Sequence, residues 1–129
     1  MKLHILIITI LLSACSSTLT HLPVGLYKMS GESIIPTPVV TSDDFSHISL
    51  DTLFTDHPVI GITLTPEATT RFAEATEAAI GQQMAFVYND SVIMAPRINS
   101  RIEGGRVQIH TPDTPLLYEI YRHLSGQLK

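Results

Sequence analysis

Phe86–Ile98 reads FVYNDSVIMAPRI, two apolar runs joined by Asn89-Asp90, with a proline near the end of the second run. Asn and Asp tolerate the left-handed backbone that a two-residue hairpin turn requires, so the stretch predicts strands over Gln83–Tyr88 and Ser91–Ile98. Pro96 then needs an explanation, because it lacks the N–H that a ladder consumes. It fits a strand only at a bulge or at a sheet edge with its nitrogen facing outward. The second strand is therefore expected at an edge.

Working outward, Pro58–Leu64 (PVIGITL) alternates, with Ile60, Ile62 and Leu64 on one side, and predicts a strand. Thr65 is an N-cap candidate, Pro66 suits the first helical position, and Glu67 lies in the first turn, where the helix dipole favours negative charge. A helix follows, with Ala68, Phe72, Ala75 and Ala79 as its apolar stripe and Gly81 as its stop. So much alanine implies a close approach to a sheet. Gly104-Gly105 gives a second turn, then RVQIH (Arg106–His110) a short strand. Thr111 or Thr114 can cap a last helix, with Pro115 at its start and Leu117, Ile120, Tyr121 and Leu124 as its stripe. Upstream, residues 24–40 read as an edge strand and loop punctuated by Gly31, Pro36 and Pro38, whereas Thr41–Phe54 fits neither period and its type stays open.

The first residues have a different character. Lys2 precedes the apolar block Leu3–Leu12, which has signal-peptide length and falls short of the ~20 residues a membrane span needs. Leu12-Ser13-Ala14-Cys15 then resembles the lipobox of bacterial lipoproteins. That resemblance implies cleavage before Cys15 and acylation of its thiol and new N-terminus. Cys15 is the only cysteine, so the chain has no internal disulfide. Several acyl chains, at ~0.8 kcal/mol per buried methylene, would hold the protein on a membrane almost permanently. Ser16 rather than aspartate after the cysteine favours the outer membrane by the same resemblance. The expected division is residues 1–14 as signal, 15–23 as lipidated cysteine and tether, and 24–129 as one domain. Ser16–Leu22 reaches roughly 23 Å when extended, which keeps the domain beside the membrane, facing the periplasm.

Loss of residues 1–14 removes Lys2 alone among charged side chains and leaves 7 Lys plus Arg against 12 Asp plus Glu, a formal charge of −5. Nucleic acid is an unsuitable partner for such a surface, since phosphate binding depends on clustered cations. Catalytic signatures are also missing from the sequence. His21, His47, His57, His110 and His123 include no close metal-ligand spacing, no G-x-S-x-G elbow is present, and Gly104-Gly105 leads into a strand rather than a phosphate-binding helix N-terminus. No enzyme, cofactor, metal or small-molecule substrate is expected. One local bias stands out: Arg97, Arg101 and Arg106 place three of the seven cations of residues 15–129 within ten positions. They are candidate contacts for a partner, set against the plainer expectation of a solvated loop with Glu103 as internal counter-ion.

Pro58–Gly105 resembles the head of the first periplasmic domain of SecD, a subunit of the bacterial protein-export accessory complex. The matching elements are Phe72-Ala73-Glu74-Ala75-Thr76, Ile80-Gly81, Val92-Ile93, Ala95-Pro96, Ile98 and Ile102-Glu103-Gly104-Gly105. Weaker similarity reaches upstream to Val40-Thr41-Ser42-Asp43-Asp44 and downstream through the last helix. The resemblance implies an α+β fold, an antiparallel-rich sheet with two helices packed on one face, and a tendency to bind extended polypeptide along a sheet edge. It does not extend to the family's membrane-embedded motor, because no apolar run near 20 residues follows Cys15. The expected function is a non-enzymatic envelope lipoprotein that contacts a protein or an unfolded polypeptide, with a link to protein export. The alternative is a structural or inhibitory lipoprotein that uses the fold as a scaffold.

Overall fold

The computed structural model describes residues 21–52 and 57–128. The expected signal segment and Cys15 lie outside the described residues, as do residues 53–56, which include the end of the Thr41–Phe54 stretch. The strands are β1 (Gly25–Ser30), β2 (Ser33–Thr41), β3 (Phe45–Asp51), β4 (Val59–Leu64), β5 (Met84–Tyr88), β6 (Ser91–Met94) and β7 (Arg106–Ile109). The helices are α1 (Pro66–Ala78) and α2 (Thr114–Gln127). The α+β expectation holds, with every strand pairing antiparallel.

The strands divide between two sheets, ordered β2-β1-β5-β6 and β3-β4-β7. What separates them is a corner at Ser42–Asp44, a single 3-10 turn. There the Asp44 carboxylate accepts from Thr41 N–H at 3.0 Å, Ser42 N–H donates to Val24 O, and Thr65 N–H donates to Asp44 O. Arg71 of α1 fixes the same corner, with its Nη2 2.9 Å from Asp44 Oδ2 and its Nε donating to Val39 O. The corner and a register shift between Phe45 and His47 reset the side-chain phase, which is why Thr41–Phe54 shows no clean period.

The hairpin of the opening stretch forms as its residues predict. Asn89 and Asp90 have φ of 50° and 61°, the double left-handed geometry of a type I′ turn, and Tyr88 pairs with Ser91. Phe86 pairs with Met94 but Val87 with Val92, so the edge strand β6 is bulged at Ile93. Beyond the bulge Pro96 lends the ladder only its carbonyl, which accepts from Met84 N–H at 3.0 Å. β6 is shorter than the run Ser91–Ile98, ending at Met94, and residues 95–98 continue only as a bridge between Gln83 and Arg97.

Both helices start with side-chain caps. Thr65 accepts from Ala68 N–H with Pro66 at the first helical position, as expected. For α2 the cap is Asp113, whose Oδ1 accepts from Leu116 N–H at 3.1 Å, in place of Thr111 or Thr114. Asp113 is held by its own N–H donating to Thr111 Oγ1, a local turn that frees its carboxylate for the cap. Ala68, Phe72 and Ala79 of the α1 segment, with Leu117, Ile120 and Leu124 of α2, join Leu26, Val40, Met84, Phe86, Ile60, Ile62 and Ile109 in one core between the sheets and helices. Thr76 is the one polar residue fully buried among the described residues.

Candidate functional site

Where the two sheets meet, they leave a groove. Its floor is Leu26 of β1, Phe72 of α1 and Met84 of β5. One wall is Met94, Pro96, Ile98 and Ile102, and the other is Arg106, Val107 and Gln108 of β7, around a cavity of about 170 Å³. The lining is apolar except for Arg106 and Gln108, and Arg106 is the only charged residue in it among the described residues. A larger depression of about 480 Å³ lies at the turn tips beside Gly31 and Gly81. Its lining is mostly turn residues and polar side chains, with Met29 and Ile35 as its only large apolar residues among the described residues, so the apolar groove is the stronger candidate.

The register of β7 sets which of its backbone groups face the free edge at that wall. Leu64 N–H donates to Gly105 O at 2.8 Å, and antiparallel pairs alternate between bonded and unbonded. With Ile62 opposite Val107 and Thr63 opposite Arg106, the phase assigns Gly105, Val107 and Ile109 to β4. Arg106 and Gln108 therefore turn their N–H and C=O outward, at the free edge of the sheet. β7 contains no proline, whereas the β2 edge carries Pro36 and Pro38 and the β6 edge is bulged and followed by Pro96.

The turn into β7 is rigidly built. Gly105 has a φ of 64° and is packed so closely on Thr69 that a Cβ would collide with the Thr69 side chain. Ile102 N–H donates to the buried Thr76 Oγ1 at 3.0 Å, and that hydroxyl donates in turn to Ala73 O. So Ile102 and the glycines behind it are bonded to the middle of α1. The motif residues Thr76, Ile102 and Gly105 place the groove wall, a role their spacing alone did not disclose.

The three arginines go to different places. Arg101 forms ion pairs with Glu77 at 2.5 Å and Glu103 at 3.0 Å, and the Glu77 hydrogen bond raises its already high pKa. Arg97 bridges to Gln83 beyond the end of β6 and lies near Gly81. Arg106 lines the groove. Neither Arg97 nor Arg106 has an ion pair among the described residues. Among the described residues no group of His, Cys, Asp or Glu could hold a metal, and no helix is long and apolar enough to cross a membrane.

At the far end of the domain, Asp90 receives the chain entering from the N-terminal side. Leu22 N–H donates to its Oδ1 at 2.7 Å, and His21 Nδ1 lies 2.5 Å from its Oδ2. His21 and Leu22, assigned from the sequence to the tether with Pro23, thus contact the hairpin turn, and Pro23 O accepts from the buried Tyr27 hydroxyl.

Two antiparallel sheets with an α1–β5–β6 unit between β4 and β7 in chain order define a two-sheet α+β class of domain. The family described as "SecDF, P1 head subdomain" matches residues 26–116, and the chain belongs to that family. Among sequence relatives, "Protein translocase subunit SecD" of Mycobacterium tuberculosis is 41% identical over 58 residues, 45% of this chain and 10% of that protein. The subunit of the same name from Sebaldella termitidis is 36% identical over 72 residues, 56% of this chain and 17% of its own length. A solved structure described as a membrane component SecDF that enhances protein export superposes with a TM-score of 0.65 at 28% identity, covering 75% of this chain and 44% of the other. The chain thus spans between a tenth and about a sixth of the two curated relatives named here.

Proposed function

We propose that this domain holds an extended segment of another polypeptide in the groove between β6 and β7, as a non-enzymatic binding module of the cell envelope. One observation carries the reading: an apolar groove lies along a proline-free sheet edge whose Arg106 and Gln108 backbone groups face outward. An extended chain placed there satisfies those groups by strand addition and buries its own apolar side chains over Phe72 and Met84. At about 25 cal/mol per Å² of apolar surface, two or three such side chains supply a few kcal/mol, enough for transient capture and too little for permanent association. The family's relatives, named as translocase subunits, support a link to protein export.

The lipobox-like Leu12-Ser13-Ala14-Cys15 supports a domain tethered to a membrane by acyl chains on Cys15, facing the periplasm, with the outer membrane favoured by Ser16. Arg97, Arg101 and Arg106 are the proposed partner-contacting cations, and Arg106 is the one at the groove. Labelling with radioactive palmitate tests the anchor: incorporation lost in Cys15→Ser supports it, and an unlabelled native chain refutes it. A photo-crosslinking residue at Met94 tests the groove. Adducts to an unfolded polypeptide are expected there and not from the same residue at Glu119 on α2, and equal adducts at both positions reject the assignment.

A further inference from the structure

The two sides of β7 differ in chemistry. Val107, opposite Ile62, faces the core side and the apolar groove. Arg106 and Gln108 stand at the rim, bordering both the groove and, with His47, Ser49 and Thr63 on the other face, a depression of about 300 Å³ that Val107 also borders. Register places His47, Thr63 and Arg106 in one row across three strands, and Ser49, Gly61 and Gln108 in the next. Gly61 opens the depression, since a Cβ there would lie 2.6 Å from Ser49 Oγ. No carboxylate lines it among the described residues, although the chain as a whole carries a formal charge of −4.

From this arrangement, and resting on the groove reading above, we infer the class of polypeptide that the edge selects: segments alternating apolar with acidic residues, the carboxylate lying opposite Arg106. A strand added to β7 points successive side chains to opposite faces. Residues opposite Val107 enter the groove. The residue directly opposite Arg106 shares its outer face and sits at cross-strand contact distance, where an opposite charge stabilises and a like charge destabilises. Arg106 has no ion-pair partner among the described residues, so a carboxylate arriving there displaces no existing pair.

The test is equilibrium binding of the full chain to labelled peptides of about ten residues that alternate leucine with glutamate, with lysine, or with serine. A fourth peptide has the leucines and glutamates of the first in separate blocks. The glutamate peptide is expected to bind about fivefold more tightly than the lysine peptide, from a difference of roughly 1 kcal/mol at the Arg106 pair. The ratio should fall to about one in Arg106→Gln and persist in Arg122→Gln on α2. Gln108→Pro removes an outward-facing N–H without touching the β4 ladder, and it should weaken every alternating peptide while circular dichroism stays native. Equal binding of the glutamate and lysine peptides overturns the charge selectivity but leaves the groove reading standing. Equal binding of the blocked and alternating peptides overturns the strand-addition mode. If no peptide binds the native chain at all, the groove reading itself fails.

Discussion

Thr76 shows what one hydroxyl does in a packed interior. Its oxygen accepts from Ile102 N–H and its proton goes to Ala73 O, so a fully buried polar atom has both roles satisfied. Thr76→Val keeps the shape but strands the Ile102 N–H, at a cost of about 1–3 kcal/mol. A urea midpoint well below wild type is expected for Val and one close to wild type for Ser; equal midpoints would show that the bond carries nothing. Tyr27 offers a second handle. Its hydroxyl donates to Pro23 O, and its pKa is raised, first by burial and then by the charge of Asp90. Because the folded pKa exceeds the unfolded value near 10, the stabilisation is fully present below pH 10 and is lost as pH rises through the folded pKa. Tyr27→Phe should therefore flatten the fall in stability above pH 10. An unchanged alkaline slope would assign that loss elsewhere, with Tyr88, whose pKa burial also raises, as the next phenol to replace.

Among the elements, the β5–β6 hairpin was the most legible, because the requirements of Asn89, Asp90 and Pro96 are local. Two left-handed residues in a row favour Asn and Asp over alanine by about 1–2 kcal/mol each. Replacing Asn89 and Asp90 together by Gly-Gly should keep the turn, and replacing them by Ala-Ala should destabilise the domain by about 2 kcal/mol or more in chemical denaturation. If both pairs melted alike, turn geometry would not be setting the register. The cap of α1 was equally readable, since Thr65-Pro66 acts within one turn. The cap of α2 was not, because three polar residues within four positions compete there and only the local turn at Thr111 selects Asp113. The strand character of residues 45–51 was hidden for the same kind of reason: a one-turn corner and a bulge erase the period that a strand otherwise shows.

For the whole molecule, the division into two sheets depends on pairings far apart in sequence, such as Leu26 with Phe86 and Ile60 with Ile109, which no local pattern encodes. The groove is a product of that division. Its walls come from residues about ten positions apart, and its floor includes residues as distant as Leu26, so a sequence reading could flag Arg106 by charge but not Met94, Val107 or Gln108 by lining. The arginine cluster likewise dissolves in three dimensions, with Arg101 engaged by Glu77 and Glu103 and Arg106 alone reaching the groove.

The central claim, that a polypeptide adds to the β7 edge, is tested most directly by amide hydrogen exchange of the full chain with and without an unfolded polypeptide. The outward amides of Arg106 and Gln108 are predicted to gain protection, while Val107 and Ile109, already bonded to β4, change little. Binding that left Arg106 and Gln108 exchanging freely and protected amides elsewhere instead would contradict it.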